Sequence, residues 1–427
     1  MNSNQLYSMM GFPYTNSNPQ TMYVEPPERK RTFPNQFQNL FENKEVSNVM
    51  QRRKKMSSPS TSSNTTNNSN NNNSNVNNIQ KKKYFGNSLQ IENRITEDKI
   101  EEFQNFLNTR KTNVVEYLCS QRGAKEIEKT LKKSPNECIT ILMNTINVNL
   151  TKVMMDVYGN YFCQKIIQTS TSSQITLMIN YIKKDFVQIA KDYSGTHVLQ
   201  AILDAVSTQE QETIIINSIA NSQLEMAYDN NATHVLQKII QRIPEERRSS
   251  LNEVILNNIK DLALNSNGIC LVKKYIGNNI IPQNKQRIIT ALTENCLVIA
   301  QDPYGNYAIQ YILDEWNQKD CANVVNIIIE NICCLSKQKF SSNVVEKIIE
   351  QINEESRKVI FAELFNEAKL NGIIKNKYGK YVIQKSVRFM TFQQKQNVIS
   401  ILEKFSAQSQ NIKEKKMLSS LIECFEK

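Results

Sequence analysis

The chain has 427 residues, 40% of them apolar, with 52 Lys and Arg against 41 Asp and Glu and a formal charge of +11. This is water-compatible material with ample core, and the absence of an uninterrupted apolar run near 20 residues argues against membrane-spanning helices. There is no secretory n-region and h-region at Met1, so the expected location is inside the cell, in the cytoplasm, and the nine cysteines, odd in number and without a CxxC pair, are expected as reduced core thiols with no metal or cofactor.

Residues 1–95 differ in kind from the rest of the chain. The stretch from Asn64 to Asn78 holds ten Asn among Ser and Thr and has too little apolar surface to offset the entropy of ordering, so 1–95 is expected as a disordered tail. Of the +11, +7 falls in this tail, in clusters at Arg29-Lys30-Arg31, Arg52-Arg53-Lys54-Lys55 and Lys81-Lys82-Lys83. Such runs have the composition of nuclear import signals or loose nucleic-acid contacts, and equally of a solvated tail. Order is expected from Thr96, where Asp98 and Glu101 have capping-box spacing and Ile100, Phe103, Phe106 and Leu107 follow a helical stripe, a lid over the first repeat.

From there the chain rewrites one short sentence, seen most clearly in Asp156-Val-Tyr-Gly-Asn160-Tyr161-Phe-Cys-Gln164-Lys165. The last polar residue of each copy is Glu128, Gln164, Gln200, Gln237, Lys273, Gln310, Glu346 and Gln384, with gaps of 36, 36, 37, 36, 37, 36 and 38. A period that constant predicts an all-α, curved solenoid of eight repeats over residues 96–427. The opening slot, Ser120, Asp156, Asp192, Asp229, Asn265, Asp302, Gln338 and Asn376, is mostly a helix-capping side chain. Reader helices are therefore expected near 120–131, 156–168, 192–204, 229–241, 265–276, 302–314, 338–350 and 376–388.

Next comes a small slot, Gly123, Gly159, Gly195, Ala232, Gly268, Gly305, Ser341 and Gly379, which would let another group approach the backbone. The first and last readers are four residues apart and share a helix face. The middle reader is turned about 100° from the first and is expected to lean towards the adjoining repeat. Apolar pairs such as Val198-Leu199 with Ile202-Leu203, and Val344-Val345 with Ile348-Ile349, carry the core on the other face. Between readers, Ile175, Met178, Ile179, Ile182, Phe186 and Ile189 step by three and four, so each unit should hold about two further helices. At the far end Val398, Ile399, Ile401, Leu402 and Phe405, then Met417, Leu418, Leu421 and Ile422, predict a closing helix pair.

A catalytic site needs unlike groups converging on one point. Here like groups recur along a line, which argues against an enzyme and for a long polymer as partner. At Asn160-Tyr161-x-x-Gln164, Asn306-Tyr307-x-x-Gln310 and Ser342-Asn343-x-x-Glu346 the chain resembles the Pumilio (PUF) family of RNA-binding proteins, whose helical repeats read one base each. The amides of Asn and Gln suit the uracil edge, the Glu346 carboxylate suits the donors of guanine, and Tyr161, Tyr307 and Tyr381 give rings for bases to stack on. Both histidines of the chain, His197 and His234, occupy the middle slot, within Thr196-His197-x-x-Gln200 and Thr233-His234-x-x-Gln237. These two repeats are read as selecting A or U.

Three repeats depart from the pattern. Repeat five has Ile269-Cys270-x-x-Lys273, with no useful edge contact, repeat one has Ala124-Lys125-x-x-Glu128, without a ring, and repeat eight has Lys380-Tyr381-x-x-Gln384, where uracil is still expected. The residue after the last reader is basic at Lys129, Lys165, Lys238, Lys274, Lys347 and Lys385, a sensible place to meet RNA phosphates.

The resemblance implies RNA running antiparallel to the protein, with a 5′-UGU core read by repeats eight, seven and six. It also implies a monomer that binds 3′ untranslated regions of messenger RNA and lowers translation or stability through recruited repressor or deadenylation proteins. Two rivals remain: a nuclear or nucleolar relative binding structured RNA in ribosome biogenesis, and a peptide-binding solenoid of armadillo or HEAT type. The basic tail speaks for the first, the regular period for the second.

Overall fold

Each repeat folds into three helices, two that follow the preceding reader segment and the next reader helix itself, as in Ser172–Ile182, Phe186–Lys191 and Gly195–Ala205. The computed structural model describes residues 94, 96–110, 113–278 and 280–426, all inside a unit spanning Ile79–Lys427, and every regular element among them is helical. Among the described residues no helix is long and apolar enough to cross a membrane. The tail expected at 1–95, with its Asn-rich run and basic clusters, lies outside the described residues except for Arg94, which is already helical. Asp98 is therefore not the cap of the first helix but lies within it, since Thr96 and Glu97 are already helical.

The eight reader segments fall on helices α1 (Gln121–Leu131), α2 (Gly159–Thr169), α3 (Gly195–Ala205), α4 (Ala232–Arg242), α5 (Gly268–Ile276), α6 (Asn306–Glu315), α7 (Ser341–Gln351) and α8 (Gly379–Ser386). Each packs against the next, so the eight form one row in a solenoid. The apolar slots drive this. Val198, Leu199, Ile202 and Leu203, like Val344, Val345, Ile348 and Ile349, are buried in a core that continues from Phe103 to Phe425. Each such side chain contributes about 1.5–3 kcal/mol on burial, and a single unit, lacking a neighbour, would leave part of that surface in water.

The opening slot is the joint between helices. Asp156 ends the short helix Leu150–Met155 in an extended conformation, and its carboxylate accepts from the N–H groups of Tyr158 and Gly159, both at 2.8 Å. Asp192, Asp229, Asn265, Asp302 and Asn376 do the same. The regular helix thus starts three or four residues after the expected cap from α2 onward, although the first helical bond, from Asn160 N–H, already reaches the Asp156 carbonyl. Gln338 is the exception, because its longer side chain turns away towards Cys334.

The small slot has a specific cause. A Cβ on Gly159 would stand 2.3 Å from the Val153 carbonyl oxygen, and one on Gly305 2.6 Å from that of Ile299. The preceding short helix thus leans its carbonyl onto the start of the reader helix. Where the seventh copy has Ser341, the hydroxyl donates to that same carbonyl, Leu335 O, at 2.8 Å.

Neighbouring repeats are also fastened on the outer row. Thr171 with Gln174 and Thr208 with Gln211 form capping boxes. The remaining amide N–H groups reach back one repeat, Gln174 to Asn136 O at 2.9 Å and Gln211 to Ser172 O at 2.9 Å and Thr176 Oγ1 at 3.0 Å. At the ends, Phe103 and Leu107 join the core, and Phe392–Gln408 packs against Ile412–Glu426, burying Val398, Ile399, Leu402, Leu418, Leu421 and Phe425.

Candidate nucleic-acid interface

The row of helices places three reader positions at the start of each, and the structure assigns them unequal exposure. The first reader is buried in seven copies, at Ala124, Asn160, Thr196, Thr233, Ile269, Asn306 and Ser342, leaving only Lys380 half-buried. The first and last readers, expected to share a helix face, thus differ in exposure, since Gln164, Gln200, Gln237, Gln310 and Glu346 are half-buried. Asn160, 4% exposed, spends its amide N–H groups on the carbonyls of Asp156 and Val157, both at 2.8 Å, and its Oδ1 on Gln164 Nε2 at 3.1 Å. Asn306 repeats this with Asp302, Pro303 and Gln310. The buried Asn orients the Gln, and the remaining amide edge of Gln164 or Gln310 is what a ligand would meet.

The middle readers stand out. Tyr161 is 67% exposed, Tyr307 50% and Tyr381 54%, and His197, His234, Asn343 and Lys125 are exposed as well, whereas Cys270 is half-buried. Exposed aromatic rings at the same position on successive helices are suited to flat ligands. The structure adds Tyr193, which the sequence motif alone does not single out. It is 75% exposed, and its ring meets that of His197 edge-to-face with centroids 6.0 Å apart. Its signal was an aromatic residue next to a capping Asp, three residues before the first reader.

Repeats three and four carry identical readers but differ in bonding. Thr196 Oγ1 donates to Asn231 O of the next repeat at 3.1 Å and accepts from Gln200 at 3.4 Å. In this repeat it is thus the first reader that reaches the adjoining repeat. Thr233 Oγ1 and Gln237 Nε2 are buried without a hydrogen-bond partner. Partial burial first, and then the neighbouring His197, hold the His234 imidazole below its ordinary value.

In repeat seven, Ser342 is buried and Glu346 half-buried. Burial pushes the Glu346 carboxyl above the usual carboxylate range, opposed by Lys385 and reinforced by Glu350. In repeat five, Ile269 is buried and the Lys273 ammonium lies 5.1 Å from the centre of the Tyr311 ring. In repeat one, Glu128 pairs with Lys132 at 2.7 Å. In repeat eight, Lys380 lies over Tyr381 at 4.9 Å and Gln384 is exposed. Among the lysines after the last reader, Lys129 and Lys165 are exposed, while Lys238, Lys347 and Lys385 are bound to carboxylates.

Cysteines mostly belong to the packing. Cys163 fills an apolar slot, and burial pushes its thiol up to about 12, as it does for Cys296. Among the described residues no group of three or more His, Cys, Asp or Glu is placed to hold a metal ion.

Comparison with known proteins fits this geometry. A model of the Pumilio-family RNA binding repeat matches residues 149–183, 185–220, 224–251, 295–329, 331–365 and 372–402. Pumilio homolog 12 of Arabidopsis thaliana is 34% identical over 152 residues, covering 36% of this chain and 25% of that protein. Pumilio homolog 11 of the same plant is 32% identical over 127 residues, 29% of this chain and 22% of the relative. The chain thus spans about a quarter of the length of the curated relatives it matches. Among solved structures, the Puf4 RNA binding domain bound to an HO endonuclease RNA 3′ UTR recognition sequence aligns with TM-score 0.64 at 22% identity, over 71% of this chain and 96% of that one. The RNA-binding domain of yeast Puf5p bound to SMX2 RNA aligns with TM-score 0.62 at 23% identity, over 74% and 96%. The family model matches six of the eight expected repeats, all but repeats one and five, the fold agrees with it, and the chain belongs to the Pumilio (PUF) family.

Proposed function

We propose that this protein binds single-stranded RNA sequence-selectively along the row α1–α8 and regulates messenger RNA after transcription. The observation that carries the reading is the repeated placement of an exposed middle reader beside a half-buried amide or carboxylate: the rings of Tyr161 and Tyr307 beside Gln164 and Gln310, and in repeat seven the Asn343 amide beside Glu346. Rings at successive repeats stack bases at about 1–3 kcal/mol each, and the oriented amide or carboxylate reads the edge. The RNA-bound relatives among the structural neighbours support the same ligand class.

With the strand antiparallel to the chain, repeats eight, seven and six would read 5′-U, G and U. Gln384 and Gln310 carry the amides for uracil and Glu346 the acceptor for guanine. Repeats four and three take A or U, repeat two takes U, and repeats five and one add little edge selectivity. Such a core would sit in 3′ untranslated regions, with translation or stability lowered through recruited repressor or deadenylation factors.

Selection from a randomised RNA pool with the full chain tests this, and the expected product is a family of UGU-containing sequences. Recovery of structured RNAs without a common core would instead favour the ribosome-biogenesis reading.

A further inference from the structure

The lysines that follow the last reader fall into two classes. Lys238 Nζ lies 2.7 Å from Asp204, Lys347 Nζ 2.5 Å from Asp314 and Lys385 Nζ 3.1 Å from Glu350. In each pair the carboxylate belongs to the preceding repeat, four residues beyond its last reader, and the lysine stands one residue beyond the last reader of its own repeat. Where the acidic slot holds something else, the bridge is missing. The slot is Lys132 ahead of Lys165, Gln168 ahead of Ala201 and Gln241 ahead of Lys274. It is Gly277 ahead of Tyr311, whose hydroxyl occupies the space a Cβ at 277 would need. Every acidic slot is followed by a lysine in the next repeat, whereas Lys165 and Lys274 stand without an acidic slot ahead of them.

A bridged lysine is a poor receptor for a phosphate, because an anion brought to it also meets the carboxylate and the two charges largely cancel. The side chains of Lys238, Lys347 and Lys385 are moreover only 20%, 25% and 22% exposed. Lys129 and Lys165 are exposed, and among the described residues neither is in an ion pair. Lys274 is half-buried, and burial together with the nearby Lys238 holds its ammonium below the ordinary value, a strain that an anion would relieve. Repeats one and five, whose readers Ala124 and Ile269 offer no base edge, are among the three that keep an unbridged lysine.

We propose that Lys129, Lys165 and Lys274 receive the phosphates of the bound strand, while Lys238, Lys347 and Lys385 fasten neighbouring repeats. Attraction without sequence information is then concentrated on repeats one, two and five, two of which read bases least. The assignment rests on the single-stranded RNA reading above.

The test measures the affinity of the full chain for a UGU-containing single-stranded oligonucleotide across a salt series. Replacing Lys129, Lys165 and Lys274 together by Gln should flatten the slope of log affinity against log salt by about 0.7 per lysine, about 2 in all. Replacing Lys238, Lys347 and Lys385 together by Gln should leave the slope unchanged and lower the unfolding midpoint. An equal flattening by the second triple, or none by the first, overturns the lysine assignment while leaving RNA binding in place. Failure of the unaltered, folded chain to bind the oligonucleotide at any salt overturns the functional reading itself, and the assignment with it.

Discussion

Gln310 donates to Asn306 Oδ1 at 2.8 Å, and Asn306 is itself held by the carbonyls of Asp302 and Pro303 at 2.9 and 3.0 Å. The same chain of bonds runs from Gln164 through Asn160 to Asp156 and Val157. A capping turn, a buried amide and a half-buried amide therefore act as one unit, and the geometry of the turn is transmitted to the Gln310 and Gln164 side chains.

Asn306→Ala should therefore cost both stability and selectivity. Removing a buried amide with three hydrogen bonds destabilises by about 1–3 kcal/mol, read in denaturant unfolding, and releases Gln310 to other rotamers. Base preference at the position read by repeat six should broaden in an RNA selection. An unchanged preference together with lost stability would show that Asn306 is only a turn residue.

Tyr161→Ala and Tyr307→Ala should behave in the opposite way. Both rings are at least half exposed, so folding stability should stay within about 0.5 kcal/mol of the parent, while RNA affinity falls by about 1–3 kcal/mol for each. Tyr193→Ala should weaken binding as well if its ring extends the stacking surface of His197. Titration of a fluorescent oligonucleotide measures all three.

Glu346→Gln should weaken the guanine preference at its own position by about 1–3 kcal/mol and leave flanking positions alone. It should also stabilise the folded chain near neutral pH. The Glu346 carboxyl is raised in the fold, by burial first, so the folded state binds its proton more readily than the unfolded state does. Its ionisation thus costs stability as pH rises from the unfolded carboxylate value through the folded one, and the cost is constant above that window. The advantage of the Gln variant should vanish in acid below the window, which thermal unfolding against pH will show.

Gln211→Ala removes a wholly buried side chain that both closes a capping box and bonds Ser172 and Thr176 of the preceding repeat. The loss should be about 2–3 kcal/mol, well beyond the effect of the cap alone. A loss confined to about 0.5–1 kcal/mol, as for an isolated cap, would mean that the contact across repeats contributes nothing. Chemical denaturation distinguishes the two.

Much of this protein was legible in its sequence because its information is local and repeated. The 36–38 residue spacing located every reader helix, the apolar slots around Val198 and Val344 named core residues that are wholly buried, and the small slot announced a close approach, now seen as the Val153 carbonyl against Gly159. The errors arose where a side chain's length or its neighbour mattered. Gln338 sits in a cap slot but is too long to fold back on its own turn, and Asp98 has capping-box spacing inside a helix already under way. The lysines after the readers looked alike in sequence, although three are bound to carboxylates one repeat away.

The sequence by itself determined the architecture and the register, since a period of one helix set and a fixed order of cap, small, polar and apolar slots can be satisfied only by stacking identical units. Only the tertiary structure decided which polar groups remain available to a ligand. Asn160 and Asn306 are consumed by their own turns, Thr196 by the next repeat and Lys238 by the preceding one, whereas Thr233 and Gln237 are left without partners. Hydrogen bonds and ion pairs across a repeat boundary depend on side chains about 35 residues apart that packing brings within about 3 Å, and no single copy of the motif contains that information.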